Sequence, residues 1–385
     1  MEIRRLKKED YDELLSMLNQ SFAAVRNRPV DFLRGQPKMW VRDDEHMARH
    51  IGLFEDGKLC SVVGIYPLPL RVGDTLLHFA TTGNVATLPE YAGRGYFTKL
   101  FSMAMEEAER EGYDALRLGG QKQRDGRFGF EDLGILYQAL FSEKNRAAFP
   151  RQNYTDVTFE RLTRESYEDL AYVRNLSAKS PCCVERYGTE NERDVYLVLH
   201  SKYSEAYAAK RGGKPIGYLS VADGGCTVGE IRGEDTDAFF AVVCAWQART
   251  RAMLHIPIAP WAKDVLSRMA QVAESVQILS PSKFKILHPD RVIDAFLKLK
   301  QSLAPLPEGE LFMEIQGFGV VCLSVKNGAA ECKTVQGERA DLCLSPTDAA
   351  RLVFGHLPAS LIAELPPYAA AWFPLPLSWD FMDFV

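Results

Sequence analysis

Along the first 148 residues the apolar positions switch between a period of two and a period of three to four, the signature of strands alternating with helices. Ile3 to Leu6 reads as a short strand. Leu14, Leu15, Leu18 and Phe22 then fall on one helix face, behind the acidic start Glu9-Asp10 that suits a helix dipole. Leu53-Phe54, the turn Glu55-Asp56-Gly57-Lys58 and Leu59 to Tyr66 predict a hairpin. Strands are expected from Leu68 to Val72 and from Leu76 to Leu88. Gly93-Arg94-Gly95 follows, then a helix from Tyr96 to about Glu111. Leu100, Met103, Ala104 and Ala108 supply its apolar face and Gly112 stops it. Ala115 to Leu118 is a short buried strand.

The same grammar returns in a second stretch. A helix from Glu165 to Ser177 precedes strands at Tyr196 to Leu199, Glu205 to Ala209, Ile216 to Val221 and Thr227 to Arg232, then a helix from Asp235 to Arg249. The order resembles the first stretch, as a diverged duplicate would. Where a glycine-rich turn would stand, Gly233-Glu234-Asp235-Thr236 carries two acids, so no anion site is expected there. A third stretch begins with the helical phrase ILHPDRVIDAFLKL. It continues through strands at Leu311 to Ile315, Val320 to Val325, Ala330 to Thr334 and Ala340 to Leu344, then a helix from Pro346 to Phe354. The end, with Trp379, Phe381, Met382 and Phe384, is too apolar to stay in solvent. The expected class is α+β (mixed α/β), in three units: 1–148, 149–284 and 285–385.

With 46 basic residues against 51 acidic ones and a net charge of −5, the chain lacks the basic surplus of a phosphate-backbone binder, so no nucleic-acid partner is expected. The longest apolar run, Ala238 to Trp246, is about half of what a bilayer span needs, and the N-terminus is charged from its second residue. A soluble, cytoplasmic protein is expected, with no membrane partner. The eight cysteines form no CxxC pair and read as buried or inert thiols. His46 and His50, spaced i, i+4, would share a helix face. They find no third ligand, so no metal is expected.

The chemistry points to one segment, TTGNVATLPEYAGRGYFTKLFSMAMEEAE, in which a strand ends at Val85-Ala86-Thr87 and a helix starts directly after Gly93-Arg94-Gly95. Glycines permit the tight turn, the free amides of the first helical turn attract phosphate, and Arg94 adds charge. On these residues the chain resembles the GCN5-related N-acetyltransferase (GNAT) superfamily. Its coenzyme A loop, Q/R-x-x-G-x-G/A, is approached by Ala92-Gly93-Arg94-Gly95-Tyr96-Phe97, without the leading Gln/Arg or the final Gly/Ala. A second signature, loosely Y-x-K-x-G-F-E, resembles Asp125-Gly126-Arg127-Phe128-Gly129-Phe130-Glu131. The GRFG tetrapeptide, the DLCLSPTDAARLVFGH segment and the aromatic end also look like the enhanced-intracellular-survival (Eis) family. That family combines tandem GNAT folds with a sterol-carrier-like α+β module.

The resemblance implies acetyl-CoA as co-substrate, a small-molecule primary amine of aminoglycoside or polyamine type as acceptor, and a homo-oligomer, a hexamer. It implies cofactor contacts from Val85, Ala86, Thr87, Gly93, Arg94, Gly95, Tyr96, Phe97, Thr98, Gly120 and Gln121, with the Val85 amide stabilising an oxyanion. It makes the free α-carboxylate of Val385 the general base, ionised at neutral pH with an ordinary pKa of about 3.3–3.7. The general acid is expected at the position held here by Asp125, where the family has tyrosine. Asp125-Gly126 reads more simply as a surface turn. Tyr137 and Tyr96 are alternative acids, and water is another proton source. Phe22, Trp40 and Phe79 are candidate apolar walls, and Asp383 is a candidate cation attractor. Two other functions fit the same residues: a non-catalytic protein binding CoA or an apolar ligand, and a protein N-acetyltransferase.

Overall fold

Asp56 and Gly57 both take positive φ, the backbone of a tight two-residue hairpin turn, and join β2 (His50–Glu55) to β3 (Lys58–Pro67). In this computed structural model, which describes residues 1–185 and 193–383, that hairpin starts the first sheet. β1 (Glu2–Arg5) adds antiparallel to β2, and β4 (Phe79–Thr87) antiparallel to β3. β5 (Ala115–Leu118) lies parallel to β4, from Phe79 opposite Ala115 to Thr82 opposite Leu118. Ser282–Ile286 and Glu131–Leu133 complete the seven strands.

Two helices cover opposite faces. α1 (Tyr11–Arg26) buries Leu14, Met17 and Leu18 against Phe54, Leu59 and Val62. α2 (Tyr96–Arg110) buries Leu100, Phe101 and Ala104 against Val63, Ile65 and Leu116. Val62 and Val63 serve different cores because successive strand side chains point to opposite faces.

The sheets do not follow the contiguous units 1–148, 149–284 and 285–385. Leu136–Phe141, from the first stretch, sits inside the second seven-stranded sheet between Leu254–Ile258 and Ser275–Leu279. Ser282–Ile286, from the second stretch, pairs with β5 in the first. Each sheet is thus completed by a strand from the other stretch. Two further expectations need correction. Tyr196 to Leu199 is part of a helix, Arg193–Leu199, whose Val195 and Leu199 pack on Leu170 and Val173 of the helix Tyr167–Ser177. Leu76 to Leu88 is interrupted at His78, whose N–H donates to the Asp114 carboxylate (2.7 Å) instead of a neighbouring strand.

The last stretch folds as a four-stranded sheet covered by Pro289–Leu303 and Pro346–Phe354. Val292, Phe296, Leu311, Val321 and Phe354 fill the space between them. The cavity beside Ile293, Ile315 and Phe354 measures about 20 Å³, too small for a sterol. Among the described residues, no helix is long and apolar enough to cross a membrane.

The apolar end packs as its composition predicts. Trp379 stacks on Phe79 at 5.9 Å between ring centres and lies 6.0 Å from Phe284. The Asp380 carboxylate takes two 2.9 Å bonds from Arg232, and Lys38 Nζ donates to the Met382 carbonyl at 2.6 Å. Phe384 and Val385 lie outside the described residues.

Candidate functional site

β4 carries one extra residue relative to β3: Val62 faces Ala86, whereas Gly64 already faces Gly83. Asn84 and Val85 therefore share a single opposite number, Val63, and Asn84 adopts φ +50. Beyond Thr82, β4 also parts from β5, so its edge from Gly83 to Thr87 has no strand partner on that side. The wedge so opened is a cavity of about 450 Å³, lined among others by Thr82 to Thr87, Phe97, Arg117, Leu118 and Gly119. That is the size range of small-ligand sites. Another cavity of about 410 Å³, near Phe149 and Phe240, holds none of the motif residues.

Buried polar groups fix the bulge. Asn84 Nδ2 donates to the Tyr66 hydroxyl (2.6 Å), Tyr66 donates to His50 Nε2 (2.6 Å), and His50 Nδ1 faces the Met47 carbonyl (3.2 Å). This chain requires a neutral imidazole, and burial lowers the His50 pKa from its ordinary 6.5 to about 4. The unfolded chain takes up a proton on this ring below about pH 6.5, while the folded chain does so only near 4. Its contribution is therefore complete above 6.5 and lost as pH falls through that window, about 3 kcal/mol in all. A His50→Gln variant is expected to lose less stability than the parent between pH 7 and 4.5 in urea titrations. Parallel losses in both chains would show that His50 titrates normally.

His50 begins β2 and does not share a helix with His46; the short helix ends at Met47. His46 is paired with Asp43 at 2.8 Å. Among the described residues, no group of three potential metal ligands converges.

The Gly93-Arg94-Gly95 turn leads into α2, whose Phe97 lines the wedge. Gly93 and Gly95 both have φ +79, and a Cβ on either would meet nothing within 4 Å, so the turn is open to solvent. α2 starts from Gly95 with no side-chain cap and no acid in its first turn. Its first amides are thus available to an anion, which is the fit a coenzyme pyrophosphate requires. The corresponding turn in the second stretch is closed. Asp235 caps its own helix by accepting from the Ala238 N–H (2.8 Å), and a Cβ on Gly233 would stand 2.2 Å from the Phe239 nitrogen.

Val85, Ala86, Thr87 and Phe97 line the cavity; Gly93, Arg94, Gly95, Tyr96 and Thr98 form the turn and helix start around Phe97 and are not themselves in its lining. Arg94 pairs with Glu55 (3.2 Å) and lies over the Tyr91 ring (4.8 Å). The Tyr96 hydroxyl donates to Glu55 (2.5 Å), a carboxylate contact that raises its pKa. Tyr137 belongs to the second sheet, opposite Ile258 and Ile278, away from the wedge. Phe22 lines the cavity. Phe79 is core beneath Trp379, and Trp40 packs on Phe32, whose carbonyl accepts its indole N–H.

Asp125 is not a surface turn. It is fully buried at the end of the short helix Lys122–Asp125, its two oxygens 2.7 and 3.3 Å from the Arg124 guanidinium. A Cβ on Gly120 would stand 1.9 Å from Asp125 Oδ2, so the glycine is required by this carboxylate. Gly120 and Gln121 are not in the cavity's lining; Gln121 accepts the Asp125 N–H through its carbonyl (2.9 Å), while Arg124 lines the cavity and lies over the Phe97 ring at 5.2 Å. Val385 lies outside the described residues.

The cavity also holds Arg117 and Lys202, which sequence reasoning missed. Arg117, fully buried, donates to Thr81 Oγ1 (3.2 Å). Burial lowers its pKa to about 9, opposed by attraction to Asp383. A charged residue inside the apolar strand Ala-Leu-Arg-Leu was a visible signal. Lys202 comes from the other sheet's connections and had none.

Residues 2–131 match the acetyltransferase (GNAT) domain family, so this part of the chain is a GNAT acetyltransferase domain. An S-alkylcysteine N-acetyltransferase of Bacillus subtilis is 33% identical over 106 residues, 27% of this chain and 58% of that protein. The chain thus spans somewhat over half the length of that curated relative. In fold, the chain is similar over 100% of its length to a GCN5-related N-acetyltransferase from Kribbella flavida (98% of that chain; TM-score 0.67, 18% identity). It is similar over 98% of its length to Eis1 from Mycobacterium abscessus (97% of that chain; TM-score 0.63, 13% identity). At these identities the likeness extends to the fold alone.

Proposed function

We propose that the chain is an acetyl-CoA-dependent N-acetyltransferase acting on a small primary amine. The observation that carries this is the wedge, where a bulged, partnerless strand edge and an uncapped helix start open onto one cavity. When bound, acetyl-CoA would supply the activated acetyl thioester. The amides of Gly95 to Thr98 would hold its pyrophosphate and the free edge of β4 its amide-bearing arm. The Val85 amide would hydrogen-bond the thioester oxygen as negative charge builds there.

The acceptor must be neutral to attack, so a base is needed. The α-carboxylate of Val385 is proposed for this role. In support, the tail is anchored through Trp379, Asp380 and Met382, and buried Asp383 lies within electrostatic reach of Arg117 in the cavity wall. Thiol release from acetyl-CoA with an amine present should disappear when two residues are added after Val385. Undiminished release would move the base elsewhere.

Asp125 is proposed as a positioning residue that aims Arg124 into the cavity, with the departing thiolate protonated by water. An Asp125→Asn variant is expected to lower kcat/KM about tenfold, within the range of a lost charge-assisted hydrogen bond, and to keep the shape of the pH profile. Loss of the profile's alkaline limb would instead identify Asp125 as the acid.

A further inference from the structure

The wedge is lined by β4 and Phe97, where the donor is proposed to lie, and also by residues of α1 and by Lys202. Arg26, Arg117, Arg124 and Lys202 all line it, and among the described residues no lining side chain carries a carboxylate. Asp125 pairs with Arg124, and Asp383 offsets part of the charge of Arg117. Arg26 and Lys202 form no ion pair among the described residues. Burial, then repulsion from Arg117 and Arg26, lowers the Lys202 pKa to about 7. Positive charge remains in excess even when one terminal carboxylate is counted against it.

Lys202 is held firmly. It and Tyr203 both occupy the left-handed region, at φ 58 and φ 61, which ordinary side chains adopt only when their surroundings hold them there. Tyr203 fastens the turn to the first stretch by donating to the Asp31 carbonyl (3.0 Å) and accepting from its N–H (3.2 Å), with its ring against Gly35. The contacts force Lys202 toward two other cations. A polycationic amine would be repelled there, whereas a carboxylate would relieve the crowding. Phe22, Val25 and Phe32 beside these charges supply an apolar wall.

We infer that the acceptor carries its own carboxylate: an α-amino acid with an apolar side chain, its carboxylate bound by Lys202 and Arg26 with Arg117 behind them. This assignment rests on the acetyltransferase reading for the fate of the amine, but carboxylate binding is measurable without turnover. Calorimetry on protein saturated with CoA would compare methionine, leucine and phenylalanine with their carboxamides and with spermidine. At least one free acid is expected to bind tenfold or more tighter than its amide and than spermidine. A Lys202→Met, Arg26→Gln variant should lose that preference while binding CoA as before.

Equal binding of acid and amide, strongest binding of spermidine, or no binding by any of the three acids would overturn the assignment. So would acid binding that CoA abolishes, because the cations would then serve the donor's phosphates. Acids that bind with no N-acetyl product from acetyl-CoA would leave the carboxylate site standing and refute the acetyltransferase reading instead.

Discussion

A Gly95→Asp variant is expected to bind CoA at least about a hundredfold more weakly than the parent, some 2.7 kcal/mol, with its helical content unchanged. Two effects add. An aspartate at φ +79 strains the turn that aims the first α2 amides outward, and its carboxylate would occupy the space a phosphate needs. Gly95→Asn separates them, because asparagine has nearly the same shape and a similar backbone cost at this φ but brings no charge. It should cost much less. Titration calorimetry with CoA reads both, and an unchanged affinity in the aspartate variant would place the phosphates elsewhere.

The second large effect is expected at Trp379, in the tail. Its ring is buried between Phe79 and Phe284, and both belong to the first sheet although Phe284 comes from the second stretch. A Trp379→Ala variant should lose about 3–5 kcal/mol in urea unfolding, the usual cost of truncating a buried aromatic. It should also lose acetyl transfer beyond what the unfolded fraction explains, because the segment leading to Val385 is released. CoA affinity, proposed to be set by the amides of Gly95 to Thr98 and the free edge of β4, should stay near the parent's. Full activity at temperatures where the variant is folded would show that the docked tail is not needed for chemistry.

Elements decided by local pattern were legible in the sequence. The hairpin across Asp56-Gly57, the helix after Gly95 and the strand Ala115–Leu118 each carry their period and punctuation within a dozen residues. What the pattern missed was decided by distant partners. Nothing local tells Leu136–Phe141 to join the second sheet or Ser282–Ile286 the first, since both are short apolar runs that any sheet accepts. His78 breaks a strand because Asp114, far along the chain, takes its N–H. Val195 to Leu199 suits a buried strand or helix equally, and packing on Leu170 and Val173 selects the helix.

The site divides the same way. Its donor half was legible because a glycine turn between strand and helix is a contiguous signal with a physical purpose. Its acceptor half was not. Lys202 reaches the wedge only through the Tyr203 clamp on Asp31, 172 residues away in sequence. Asp125 read as a turn because Asp-Gly favours turns, yet its carboxylate is buried by Arg124 and by the missing side chain of Gly120.

The most direct test of the central claim is to incubate the chain with acetyl-CoA and a panel of primary amines that includes amino acids, polyamines and aminoglycosides. Free thiol and acetylated amine would be quantified together. Equal amounts of the two, absent without chain or amine, are the predicted result. Saturable CoA binding with neither product from any amine would contradict it and identify a binding protein that keeps the fold without its chemistry.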